Sequence, residues 1–306
     1  MTALRHIDIV RVNARLRASD TDRAAVEEPL EVRLHGRPFA VIMRTPGADR
    51  ELAAGFLLAE RVLRSADDLG TIEHCRDGLN EIRLKPDPTD RPRSTSRPDP
   101  TGRPDSTGAP VGDEAGVSEN VINVTLAGRS SVDLDRLLAN RRETMTTAAC
   151  GLCGRLTIES LKTDTPPLPP GGRMPAAVVS TLPLRLRDAQ AVFDETGGLH
   201  AAGLFTHEGE LSAIAEDVGR HNAVDKIVGR MLMRDALPLS RHALLVSGRT
   251  SFEIVQKALV AGIPVVASVS APSSLAIDLA REAGVTLVGF VRGDTFNIYA
   301  HAERIV

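Results

Sequence analysis

The sequence predicts an α/β protein, with a largely parallel sheet covered by helices on both faces and a smaller β-rich module at the N-terminus. Three observations carry this. From about residue 222 onward, short apolar runs alternate with helix-period segments; the first third instead alternates extended runs with turn residues; and a long polar stretch lies between the two.

Taken in order, residues 8–14, 30–34 and 39–44 read as strands, the last two flanking His35-Gly36-Arg37-Pro38, whose Gly and Pro form turns. After the breaker Pro46-Gly47 the period changes: Leu52, Ala53, Phe56, Leu57 and Leu63 share one face of a helix over residues 49–63. Two short strands follow at 81–84 and 120–127. Between them, residues 86–119 carry almost nothing apolar to bury, so a disordered insert without chemistry is expected there. Residues 133–142 have a helical look. In the last third, Val224, Ile227, Val228, Met231 and Leu232 mark a helix over 222–233, followed by a strand at 243–246, a helix at 252–261 and a strand at 263–269. A helix at 273–283 and strands at 285–291 and 296–300, the last at an edge, complete the β-α-β alternation. The boundaries expected are 1–127 for the N-terminal module, 128–155 for a connecting segment and 156–306 for the α/β domain.

The chain has 306 residues, 42% of them apolar, and a formal charge of −3, which suits a stable fold without disulfide staples. No apolar run approaches the roughly 20 residues of a membrane helix, and residues 1–20 mix charged and apolar side chains without the apolar core of a signal peptide. A cytoplasmic protein is expected. With 3% aromatics, no Trp and one Tyr, neither base-stacking platforms nor a broad phosphate-binding surface is present, so nucleic acid is a poor partner.

In open α/β sheets ligands bind beyond the carboxyl ends of the strands, where unpaired backbone N–H groups face outward. Three loops qualify: Ser247-Gly248-Arg249-Thr250-Ser251, Ser270-Ala271-Pro272-Ser273-Ser274 and Arg292-Gly293-Asp294-Thr295. Small and hydroxyl residues let backbone approach a ligand, and Arg249 and Arg292 can fork onto a phosphate. Ser and Thr also serve as plain helix caps, but three such loops on one rim suggest an anion site. Just upstream, Glu216-Asp217-Val218-Gly219-Arg220-His221-Asn222 offers more acid, base and donor groups than a cap requires, and His221 is read as a ligand contact or proton carrier.

The three cysteines are an odd number, which argues for thiol chemistry or metal rather than a disulfide framework. Cys150 and Cys153 form a Cys-x-x-Cys loop among small residues, with Arg141, Arg142 and Arg155 nearby to favour the thiolate. Such a pair can close a disulfide, hold a metal or pass a sulfane sulfur, and transfer fits best. Zinc would need further ligands from Cys75, His74 or His207, and no His-x-Glu precedes the pair. A thioredoxin-like role needs a strand leading into the pair, where residues 133–142 look helical. Cys75 itself reads as a small, partly buried residue.

The cysteine loop, residues 216–226 and Ser247-Gly248-Arg249-Thr250-Ser251-Phe252-Glu253 together resemble the FdhD family of formate dehydrogenase accessory sulfurtransferases, as do Met43-Arg44-Thr45-Pro46-Gly47 and the segment 51–57. The likeness spans nearly the whole chain apart from the first residues and the 86–119 insert. It implies a cytidine-deaminase-like sheet without the deaminase zinc, a homodimer, and sulfur taken from a cysteine desulfurase and passed to the bis-molybdopterin guanine dinucleotide cofactor of formate dehydrogenase. It implies the persulfide on Cys150 and a cofactor-contacting loop at Phe290, Val291, Arg292, Gly293, Asp294 and Thr295. Ser247, Gly248, Arg249, Thr250 and His221 complete the expected cofactor surface, with Asp294 a candidate acceptor for guanine. The alternative is a non-catalytic chaperone that carries the molybdenum cofactor.

Overall fold

In the computed structural model, which describes residues 2–13, 16–76, 117–127 and 165–306, strands β9 (His242–Val246), β10 (Val265–Ser268) and β11 (Thr286–Arg292) lie parallel. Their residues are buried almost throughout, as strands covered on both faces must be. β7 (His200–Thr206), β8 (Leu211–Asp217) and β12 (Thr295–Ala300) extend the sheet in the order β12-β11-β10-β9-β7-β8. All three pair antiparallel with their neighbours, so the sheet is mixed rather than largely parallel. The reason is local: β7 and β8 are joined by a tight turn at Gly209, whose φ of 87° only glycine adopts easily, and so short a link permits only antiparallel pairing.

Helices cover both faces, as expected. Leu244, Val246, Val266 and Leu287 face α4 (Arg220–Met233), α5 (Phe252–Val260) and α6 (Ser274–Ala283), while Ala243, Leu245, Val265 and Val288 face Val179, Leu182 and Leu186 of α2 (Ala176–Asp188). A one-residue alternation thus separates two cores. The short α3 (Ala191–Thr196) follows α2 and leads into β7.

A second sheet has the order β4-β3-β6-β5, from β3 (Glu28–Leu34), β4 (Arg37–Arg44), β5 (Leu69–Arg76) and β6 (Val117–Leu126). The β3–β4 turn has positive φ at both His35 (49°) and Gly36 (79°), the signature of a two-residue hairpin whose twist suits its strands. Pro38 sits on the edge strand β4, where a missing N–H costs least. The polar insert needs one correction. Residues 117–119, assigned to the polar insert, begin β6, and a strand the sequence reading lacked, β5, pairs antiparallel with it; the strand read at 81–84 lies outside the described residues, as do 86–116 and 133–142. The strand read at 8–14 is β1 (Leu4–Val12), half of a two-stranded ribbon with β2 (Arg17–Ala25).

The helix α1 (Asp49–Ala59) joins the two sheets. Its Leu52, Leu57 and Leu58 share one core with Val224, Ile227 and Val228 of α4 and with Val32 and Ile122 of the second sheet. The helices meet backbone to backbone: a Cβ on Gly55 would lie 2.0 Å from Asp225 O, and one on Gly229 would lie 1.9 Å from Glu51 O. Only glycine fits at either crossing point.

Candidate functional site: a polar rim at the strand ends

The parallel strands end on one side of the sheet, and the antiparallel neighbours bring further polar groups to the same side. Ala202 pairs with Val246 and His200 with Asp217, so the start of β7 and the end of β8 stand beside the loop that leaves β9. Ser247 is fixed there: its N–H donates to Ala201 O at 2.9 Å, and its Oγ accepts from Ala201 N at 2.9 Å. The Thr250 N–H donates to Ala271 O and the Ser273 N–H to Thr250 O, which zips the loop after β9 to the loop after β10. Phe290 N–H donates to Ser270 O at 3.1 Å. The three loops picked from sequence are therefore linked at their bases.

Their side chains divide. Ser247, Gly248 and Ser251 are half-buried and Arg249 is exposed, so all four face the rim. Thr250 is fully buried with an unpartnered Oγ1, and Val291 is 1% exposed in the core beneath the sheet; neither side chain can meet a ligand from the surface. Along β11 the two-residue alternation turns Val291 inward, and Thr250 is drawn in by the backbone bonds that tie its loop to Ala271 and Ser273. Arg292, Gly293, Asp294 and Thr295 form the exposed turn between β11 and β12 rather than a helix N-terminus, with the Thr295 hydroxyl donating to Arg292 O. The Arg292 guanidinium lies 5.8 Å from the exposed Phe290 ring, close enough for a cation–π contact.

His221, at the first turn of α4, is buried. Its Nε2 is 2.9 Å from Ser251 Oγ and 3.5 Å from Glu253 Oε2, so the N-termini of α4 and α5 meet in a His–Ser–Glu cluster. Burial alone would raise the Glu253 pKa, but hydrogen bonds from His221 and Ser251 pull it down to about 2. His200 sits beside Gly248 and Arg220. Burial lowers its pKa, and the charges of Arg220, His221 and Arg249 push the same way against Asp217. A rim this rich in cations with a neutral imidazole suits an anion better than another cation.

Asp217 holds this arrangement from below. Fully buried, it accepts from Thr45 N at 3.1 Å, Gly219 N at 2.8 Å, Asn222 Nδ2 at 2.8 Å and Lys226 Nζ at 2.7 Å. Asn222 also donates to Met43 O, Lys226 to Thr45 O, and Val218 N–H to Thr45 Oγ1. One turn along α4, Asp225 is raised by burial despite its pairing with Lys257 Nζ at 2.7 Å. The polar run 216–222 is thus mostly framework, with His221 as the member next to the rim loops. Glu216 is a cap: its carboxylate accepts from Val192 N and Phe193 N at the start of α3.

Beside the rim lies a cleft of ≈ 600 Å³ that the sequence did not disclose, lined by Pro183, Leu186 and Arg187 of α2, by Gln190 and Phe193, by residues 197–200, and by Ser247 and Val269. Cys150 and Cys153 lie outside the described residues, as do Arg141, Arg142 and Arg155. Cys75 is half-buried in β5 beside His74, and His207 lies at the opposite end of β7 from His200. Among the described residues, no group of three or more His, Cys, Asp or Glu is placed to hold a metal ion, and no helix is long and apolar enough to cross a membrane.

A model of the FdhD/NarQ family matches residues 25–306. The chain belongs to this family. It is 47% identical over 308 residues to the sulfur carrier protein FdhD of Streptomyces avermitilis, covering 97% of this chain and 94% of that one. The sulfur carrier protein FdhD of Nocardia farcinica is 43% identical, over 100% of this chain and 95% of its own. A crystal structure described as that of a formate dehydrogenase accessory protein from Desulfotalea psychrophila shares the fold, with a TM-score of 0.70 at 23% identity over the full length of both chains.

Proposed function

We propose that this FdhD/NarQ-family chain is a sulfurtransferase that takes persulfide sulfur from a cysteine desulfurase on Cys150 and delivers it to the bis-molybdopterin guanine dinucleotide of formate dehydrogenase. The observation that carries this reading is its identity of 43% or more, over nearly its whole length, to proteins named for sulfur carriage. The Cys150–Cys153 pair and the cationic rim agree with it. The protein acts in the cytoplasm as a homodimer, and its six-stranded sheet is of the cytidine-deaminase-like type.

The chemistry balances with two thiols. Cys150 thiolate attacks the outer sulfur of the desulfurase persulfide; that S–S bond breaks, and the desulfurase cysteine leaves as thiolate. Cys153 thiolate then attacks Cys150 Sγ and expels hydrosulfide for the cofactor. The two electrons that reduce the sulfur come from the two thiols, which end as a disulfide that a cellular thiol reductant reopens. The rim holds the cofactor's phosphates through Arg249, Arg292 and backbone N–H groups, and His221 and His200 manage protons beside it.

The test is to incubate the protein with a cysteine desulfurase and isotope-labelled cysteine and to map the label by mass spectrometry without reductant. Label on Cys150 is expected, and Cys150→Ser should accept none and leave formate dehydrogenase inactive, because a hydroxyl cannot replace the thiolate. Label on Cys75 instead, or full activation by Cys150→Ala, would overturn the reading in favour of a carrier that only holds the cofactor.

A further inference from the structure

The N-termini of α4 and α5 meet through three side chains, and the direction of the bonds between them follows from their chemistry. Ser251 stands at the N-cap of α5, yet its hydroxyl caps no backbone N–H of that helix. It turns instead to His221 Nε2, at 2.9 Å, and donates to the Glu253 carboxylate. A hydroxyl has one proton to give. Because the Ser251 proton goes to Glu253, the Ser251 oxygen accepts from Nε2–H of His221. Glu253 Oε2, 3.5 Å from the same nitrogen, is a second acceptor facing that proton. An unprotonated Nε2 would set lone pair against lone pair, so the neutral ring of His221 carries its proton on Nε2.

The arrangement differs from a Ser–His–acid triad, in which hydroxyl and carboxylate sit on opposite nitrogens of the ring. With both on Nε2, Nδ1 is left over. Among the described residues it makes no hydrogen bond, and it is not enclosed. The 6% of His221 that stays exposed gives that nitrogen an opening. The other charges around the ring are Asp225, one turn along α4 and paired with Lys257, and His200 with Arg220 beside it.

We propose that Glu253 is a positioning residue: with Ser251 as the link, it pins the His221 proton on Nε2 and leaves the Nδ1 lone pair as the proton acceptor at the rim. The inference rests on the sulfur-delivery reading above and gives His221 one direction of proton movement. As hydrosulfide is bound as sulfide, its S–H bond breaks, the electron pair stays on sulfur, and the proton passes to Nδ1. The imidazolium that results is held by the Glu253 carboxylate through Nε2–H until the proton leaves to water.

Long-range proton–nitrogen NMR of the full chain with nitrogen-15-labelled histidine reads which ring nitrogen holds the proton, at about pH 8.5, above the ordinary range of histidine. The spectrum of His221→Gln identifies the signals. Wild type should show Nε2–H and a bare Nδ1. In Glu253→Leu the Ser251 hydroxyl loses its acceptor and turns its proton to Nε2, so the ring proton moves to Nδ1. Activation of formate dehydrogenase should then slow about a hundredfold, the lower end of what a positioned general base contributes. Glu253→Gln, whose amide oxygen still accepts, should restore Nε2–H and part of the rate. Ser251→Ala should keep Nε2–H, because the carboxylate still faces it. Thermal melts establish that each variant is folded; should Glu253→Leu not fold, the wild-type and Ser251→Ala spectra carry the test. A proton on Nδ1 in the wild type, or on both nitrogens at that pH, overturns the proposal. So does a folded Glu253→Leu that keeps Nε2–H or activates at the wild-type rate, or a Ser251→Ala whose proton moves to Nδ1. Wild-type Cys150 left unlabelled sinks the sulfur reading, while the nitrogen signals, which need no sulfur, still decide where the proton sits.

Discussion

Replacing Asp217 by Asn should be among the most damaging single-atom changes in this protein. All four partners of the carboxylate are donors, two on each oxygen: Thr45 N and Lys226 Nζ on Oδ2, Gly219 N and Asn222 Nδ2 on Oδ1. An Asn side chain has one oxygen and one NH2, so whichever way it turns, its NH2 faces two buried donors. Lys226, 3% exposed, also loses its counter-charge and keeps only the carbonyls of Thr45 and Glu216. Breaking a buried pair by removing one partner costs about 3–5 kcal/mol. That is a large part of the roughly 5–15 kcal/mol that holds a typical domain together. Urea unfolding followed by circular dichroism should show the midpoint falling with an unchanged m-value. A loss below about 1 kcal/mol, the range of ordinary surface substitutions, would mean that Asp217 is not the hub described.

Other outcomes follow from the packing and the titrations. Gly229→Ala ought to stabilise a helix by about 1 kcal/mol on propensity alone, but here the new methyl would lie 1.9 Å from Glu51 O and must push α1 away, so a net loss of about 1–3 kcal/mol is expected; a raised melting temperature would refute the close crossing. His207 and His242, adjacent at the far end of β7 and β9, are both lowered from 6.5, first by burial, then by Arg241 and, for His242, by His207, with Glu208 opposing. Their neutral forms favour folding, so this stability is complete above pH 6.5 and is lost as pH falls through the lowered values. His207→Asn should flatten that decline in denaturation at pH 7.5, 6.5 and 5.5, and a wild type equally stable at all three would contradict it.

The C-terminal layers were legible because strands buried on both faces read as unbroken apolar runs, such as Ala243 to Val246, set between helices with clear periodicity. Segments whose order comes from pairing gave no such signal. β2, Arg-Ala-Ser-Asp-Thr-Asp-Arg-Ala-Ala, has no apolar residue larger than Ala and is mostly exposed, and its partner is fixed by register with β1. β7 and β8 are built on Ala201, Ala202, Ala213 and Ala215, small residues that bury fully without standing out; Gly203 is small because a Cβ there would lie 2.7 Å from the Phe205 ring. At the site, the loop sequences marked the rim, but not which side chains turn inward, as Thr250 and Val291 do. Gln190, between Ala189 and Ala191, had no local pattern at all: its burial is a product of tertiary packing alone.

The bonds from Met43 and Thr45 to Asn222, Lys226, Asp217 and Val218 make the rim a composite object, assembled from two stretches of chain more than 170 residues apart. An excised fragment beginning at residue 165 would retain every loop around the cleft and still lack the carbonyls and the hydroxyl that seat α4 beneath them. Such a fragment would keep its sheet and lose the order of its rim. By the same logic, an insertion at the Pro46-Gly47 turn should be felt at His221 before it is felt in the second sheet, because the strand-end side of the protein is where the two parts are sewn together.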